Sequence, residues 1–122
     1  TEDMYYILAE TDIRDGRVDD GLNYVDQVQL RRIDGYTPLK GSGLSIAQAM
    51  QKMQEAKKVE FFCTYVNFFD CKRWNTETDY RSTITRDLGK YGSFTITPDS
   101  PLWVMPFPAN ATRYNPTLTQ NY

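Results

Sequence analysis

The chain has no histidine, two cysteines and no apolar run long enough to cross a bilayer. Each lack excludes something. Without histidine, the commonest general base and the commonest metal ligand are gone. Cys63 and Cys71 stand eight residues apart, or ~12 Å along a shared helix, which is too far for a disulfide. They read as free thiols packed as small apolar groups. A net charge of −2 offers no basic stripe for nucleic acid and no polybasic membrane patch. The sequence opens at Thr1 directly in a helical pattern, without a leader segment. This reads as a piece of a longer protein.

Helical spacing is abundant. Residues 2–14 place Met4, Ile7, Leu8 and Ile13 at helical intervals, with acids in the first turn where they suit the helix dipole. Asp15-Gly16 signals a turn, and residues 18–33 repeat the pattern with Val18, Leu22, Val25, Val28 and Ile33. Two helices with so short a join pack antiparallel. Ala9 and Gly21 are small where the helices would cross, and Tyr5, Leu8, Ala9, Gly21 and Val25 follow a tetratricopeptide pattern. One such pair does not bury its own face, so further helices are expected beside it.

Residues 34–44 form a loop with three glycines and a proline. Ser45 and Gln48 make a capping box that opens a third helix, expected to run over residues 45–75. In its first half Ile46, Ala49, Met50 and Met53 form one apolar stripe. Its second half, Val59–Trp74, is the most aromatic stretch of the chain and reads as a helix buried over most of its circumference. Glu60, Thr64 and Asn67 form its one polar stripe. Glu60 and Asp70 then need partners, because a buried carboxylate is costly unpaired; Arg31 is one candidate. Beyond it, residues 76–85 read as polar loop, Gly92–Thr97 as a short strand, and Leu102–Phe107 as its return strand at an edge. The end is extended and rich in proline and asparagine.

Three of these segments resemble one known family. The run K-K-V-E-F-F-C-T-Y-V-N-F-F-D-C-K-R-W is similar to the signature helix of the SusD/RagB family, whose pattern is close to R-R-x-E-L-x-F-E-G-x-R-W-F-D-L-x-R-W. The ending M-P-F-P-A-N…Y-N-P-T-L-T-Q-N-Y resembles the family's closing I-P…N-P-x-L-x-Q-N. The stretch L-N-Y-V-D-Q-V-Q-L-R-R resembles a third family helix, with Arg31 keeping its second arginine and Gln29 replacing its first. Lys57, Lys58, Glu60, Phe68, Phe69, Asp70, Arg73 and Trp74 match the signature, and Pro106, Asn115, Pro116, Leu118, Gln120 and Asn121 match the ending. Thr64-Tyr65 and Asn67 depart from it, replacing an acid and a base together. Losing both members of a charge pair can be nearly neutral, whereas losing one strands a charge.

The resemblance implies an all-α fold built on tetratricopeptide-like helix pairs with irregular insertions, and the strand readings above put a short β-hairpin in the irregular closing segment. The three parts are a helix pair at 1–34, the signature core helix at 45–75 and the closing segment at 76–122. It further implies a non-catalytic outer-membrane lipoprotein of Bacteroidetes-type organisms. Such a protein faces outwards, binds an oligosaccharide or other nutrient, and partners a SusC-like TonB-dependent transporter. The lipid-bearing cysteine would lie upstream of Thr1, and no cofactor is implied. The competing reading is a tetratricopeptide scaffold for protein–protein contact.

An enzyme is disfavoured, because no nucleophile–base or metal constellation stands out. Glu60 and Asp70 would lie ~15 Å apart on one helix, too far for a glycosidase pair. Glu60, Asp70, Arg73, Trp74, Arg31, Asn115 and Gln120 are therefore expected to be structural. Aromatic platforms and hydrogen-bonding side chains for a glycan are sought among loop residues, namely Tyr80, Arg81, Tyr91 and Tyr114.

Overall fold

The structure, a computed structural model, describes residues 1–120; the expected role of Asn121 in the closing motif falls outside them. In chain order there are α1 (Glu2–Arg14), α2 (Val18–Gln29), α3 (Ile46–Glu60), α4 (Tyr65–Trp74), β1 (Ile84–Asp87), β2 (Ser93–Ile96) and α5 (Ala109–Tyr114). The fold is thus mostly helical with one small antiparallel hairpin. It forms two compact units, residues 1–70 and 71–122.

The first unit is a layered helical core. Tyr6, Ala9 and Ile13 of α1, Leu22, Val25 and Val28 of α2, and Ala49, Met50 and Met53 of α3 are buried. The α1–α2 turn is made by Gly16 at φ 83°, a conformation that glycine adopts without a Cβ penalty. Where the two helices cross, Gly21 has no room to spare. A Cβ there would stand 2.6 Å from the Ala9 carbonyl oxygen and 2.6 Å from Ile13 Cγ1. Backbone approaches backbone, which is why glycine is tolerated despite its helix cost of up to ~1 kcal/mol.

This contact also decides which face of α1 is inside. The sequence pattern assigns Met4, Ile7 and Leu8 to the core, yet all three are exposed. The buried row is Tyr6, Ala9, Glu10 and Ile13, one step of rotation away. Tyr6 fits because its hydroxyl accepts a bond from Gln29 Nε2 at 2.9 Å. Its ring meets Phe61 edge-on, centroids 6.2 Å apart. Likewise α2 stops at Gln29 and leaves Ile33 exposed in the turns that follow.

The long third helix is not continuous. It opens as expected, with the Ser45 N–H donating to Gln48 Oε1 at 3.0 Å and the Gln48 N–H to Ser45 Oγ at 3.3 Å. It ends at Glu60, and α4 begins only at Tyr65. Cys63 takes φ 60° at the break. Short polar side chains hold the freed carbonyls: Thr64 Oγ1 donates to Phe61 O at 2.7 Å, and Asn67 Nδ2 donates to Lys58 O at 2.8 Å and Phe61 O at 3.0 Å. Such local bonds compete with the helix ladder and satisfy a helix end. Hence the fully buried helix over 59–74 is corrected. Val59 is 75 % and Phe62 77 % exposed, and Tyr65 and Phe69 are exposed too. Both cysteines are free as expected, although Cys63 is exposed and only Cys71 is buried.

In the second unit, β1 pairs with β2 in the register Ile84↔Ile96, Thr85↔Thr95, Arg86↔Phe94 and Asp87↔Ser93. The return strand is therefore upstream of the expected one. Residues 102–107 form no strand; Pro101–Trp103 is a single 3₁₀ turn capped by Ser100. Trp103 is buried and its indole N–H donates to Thr97 O at 2.9 Å. The Pro/Asn-rich end includes the short helix α5. Gln120 closes the loop around it, accepting from the Phe107 N–H at 3.1 Å and donating to the Phe107 carbonyl at 3.0 Å. Asn115 Oδ1 caps a local turn by accepting from Thr117 Oγ1 at 2.6 Å.

Candidate functional site

Three charged constellations in residues 1–70 do structural work. The first centres on Lys57, only 3 % exposed. Its Nζ lies 2.7 Å from Asp70 Oδ2 and 2.9 Å from Asp3 Oδ1, so one ammonium ties α1, α3 and α4 together. The Phe61 ring lies 5.9 Å from the same nitrogen. One cation between two carboxylates compensates both, and removing it would leave the buried Asp70 and the partly exposed Asp3 without it.

The second constellation answers Glu60. The partner is Arg32, where Arg31 was the sequence candidate. Arg32 Nε reaches Glu60 Oε1 at 3.1 Å and Oε2 at 3.0 Å, and Nη2 reaches Oε1 at 2.7 Å. Nη2 also touches Glu2 Oε1 at 3.2 Å. This forked contact is the geometry in which guanidinium and carboxylate match best. Arg31 is exposed. Glu2 is partly exposed; its carboxyl lies below its ordinary range, chiefly through a backbone hydrogen bond and then through the N-terminal ammonium and Arg32.

The third was not found in the sequence. Asp26 is buried on the apolar face of α2. Its Oδ1 accepts from Tyr36 OH at 2.9 Å and from the Leu39 N–H at 2.8 Å, and its Oδ2 from the Lys40 N–H at 2.9 Å. One carboxylate thus folds the loop between α2 and α3. Burial raises the Tyr36 phenol above its ordinary pKa, and the neighbouring Asp26 adds to the rise. The clue was available: Asp26 lies four residues from Leu22 on the buried stripe, as Lys57 does from Met53.

These ion pairs occupy both acids that a hydrolytic reading would need. Among the described residues, no group of three or more His, Cys, Asp or Glu side chains is placed to hold a metal.

The expected ligand contacts lie in the second unit, in separate segments. Tyr80 is half-buried in the turn after α4, its N–H bonded to Glu77 O at 3.1 Å. Arg81 faces Asp99 at 4.0 Å. Tyr91 is 74 % exposed at the hairpin tip, with Lys90 Nζ 5.0 Å from its ring centre. Tyr114 is 81 % exposed on α5, with the Arg113 guanidinium 5.9 Å from its ring. Arg73 lies 5.4 Å from the ring of Trp74, which is buried.

The hairpin also carries a surface that the sequence did not single out. Its alternation puts Thr85, Asp87, Ser93 and Thr95 on one face and Ile84, Arg86, Phe94 and Ile96 on the other. With Leu88, the second group lines a concave face of about 610 Å³, within the size range of small-ligand sites.

A helical scaffold tied by ion pairs that use Lys57, Glu60 and Asp70 of the signature run fits the family that the sequence resembles. The family comparison agrees: residues 2–122 match the model of the SusD family, and the chain belongs to it. Members of this family generally act as non-catalytic nutrient-binding and scaffold proteins. Comparison with curated proteins and with solved structures returned no match.

Proposed function

We propose that the protein binds an oligosaccharide or other nutrient at the bacterial cell surface and delivers it to a SusC-like TonB-dependent transporter. It works at the outer membrane, facing outwards, held by a lipid anchor upstream of Thr1, in a Bacteroidetes-type organism. No helix of the described residues is long and apolar enough to cross a membrane, so residues 1–120 contribute no spanning helix to this arrangement. The observation that carries the reading is the family match over nearly the whole chain. Residues 1–70 serve mainly as scaffold, since Glu60 and Asp70 are committed to Arg32 and Lys57. Glycan contacts fall to Tyr80, Arg81, Tyr91 and Tyr114.

A tetratricopeptide-type scaffold for protein–protein contact is the second reading, favoured by the Gly21–Ala9 crossing of α1 and α2. Affinity purification of the intact protein from detergent-solubilised outer membranes separates the two. Recovery with a TonB-dependent barrel supports delivery to a transporter. Recovery as a soluble cytoplasmic species bound to other proteins contradicts it.

A further inference from the structure

The concave face of the β-hairpin has its own chemistry. Phe94 is exposed and stands directly opposite Arg86 in the ladder, a position whose side chains lie within ~5.5 Å at Cβ. No carboxylate of the described residues forms an ion pair with Arg86. Its face neighbours Ile84, Leu88 and Ile96 are aliphatic. At the tip, Lys90 lies over Tyr91. Arg86 and the exposed Phe94 thus share one face of the ladder, and the Lys90–Tyr91 pair stands at the tip. Tyr91 lies three residues before Phe94, across the turn that Gly92 makes at φ 91°.

The charge of the unit points the same way. Residues 1–70 hold twelve acids and eight basic residues, whereas residues 71–122 hold four acids and six. The first unit is thus −4 and the second +2. Asp87, the acid within the hairpin, is engaged with its own turn, accepting the Gly89 N–H at 2.8 Å, and it lies on the opposite face from Arg86.

We infer that the hairpin face of Ile84, Arg86, Phe94 and Ile96, extended by Lys90 and Tyr91, binds an acidic glycan through its uronate groups. This rests on the nutrient-binding reading and names its substrate class. A pyranose ring presents a flat C–H face that packs on Phe94 and Tyr91. Its carboxylate meets the Arg86 fork and the Lys90 ammonium, where a planar guanidinium binds best. A neutral sugar would gain the stacking and leave both cations unmatched. The aliphatic walls lower the local dielectric and strengthen the charge pairing.

The test is calorimetric titration of the full chain with tetragalacturonate and, in parallel, with maltotetraose. Tetragalacturonate is expected to bind at least about tenfold more tightly, with affinity falling as salt rises. Arg86→Gln and Tyr91→Ala should each weaken it by about tenfold, with unchanged melting curves. Equal affinity for maltotetraose overturns the assignment. So does absence of binding, or binding that both substitutions leave unchanged. Equal binding of a capped hexaglutamate peptide overturns it in favour of an acidic protein segment. A dimer abolished by Phe94→Ser overturns it in favour of a second copy. Each of these failures leaves association with the transporter barrel intact; only its loss counts against the broader reading.

Discussion

Residues 1–70 and 71–120 use the same residue types in opposite ways. In the first unit, charges are turned inward: Lys57 between Asp3 and Asp70, and Asp26 on the N–H groups of its loop. Aromatic Tyr6 is sealed and hydrogen-bonded. In the second unit, Lys90 with Tyr91 and Arg113 with Tyr114 stand in solvent. The contrast separates holding from contacting. A buried ion pair constrains geometry and leaves nothing for a ligand, whereas an exposed cation–aromatic pair contributes little to stability and much to recognition.

The contrast breaks most readily at Lys57. Lys57→Met leaves Asp3 and Asp70 without their shared cation and should cost about 3–5 kcal/mol, read by denaturant unfolding of the intact protein. A loss below about 1 kcal/mol would mean that the triad is not a clamp. Next comes Gly21→Ala. Alanine is the better helix former, but its methyl would meet the Ala9 carbonyl, so the net effect should be a loss of about 1–3 kcal/mol. A stabilised variant would refute the close crossing. Asn67→Ala removes the side-chain donor from Lys58 O and one of the donors to Phe61 O, and should cost about 1–2 kcal/mol by the same measurement.

The smallest effect is alkaline. The Tyr36 phenol has a folded pKa above its unfolded value of about 10. Its contribution is therefore complete below about pH 10 and is lost as pH rises through the folded value. Tyr36→Phe should flatten the fall of stability above pH 10. An unchanged slope would place the alkaline transition elsewhere. At neutral pH, Tyr91→Ala in the second unit should leave stability within about 0.5 kcal/mol.

Local rules were readable where one helix or one cap decides the structure. The Ser45–Gln48 box, the Ala49–Met53 stripe and the close approach at Gly21 all follow from spacing and residue size. Phase was not readable where tertiary contact or a side chain intervenes. The α1 stripe of Met4, Ile7 and Leu8 is as regular as that of Tyr6, Ala9 and Ile13, and only the backbone approach at Ala9 selects between them. The four residues between α3 and α4 reset the helical phase, so the apolar positions from Val59 to Phe69 were assigned to one continuous surface that does not exist. Thr64 and Asn67, which read as a neutralised charge pair, also hold the carbonyls at that break. Partner choice was the least legible: Arg31 and Arg32 are adjacent and chemically equal in the sequence, and only the fold brings Arg32 to Glu60. The hairpin face was missed because the strand paired with β2 was placed downstream, which hid the Arg86–Phe94 pairing.

Thermal unfolding of the full chain with Lys57→Met beside Arg86→Gln tests the division between holding and contacting most directly. The account predicts a midpoint lowered by about 10 °C or more for Lys57→Met and unchanged within about 2 °C for Arg86→Gln. Equal shifts in the two variants, or a larger one for Arg86→Gln, would contradict it.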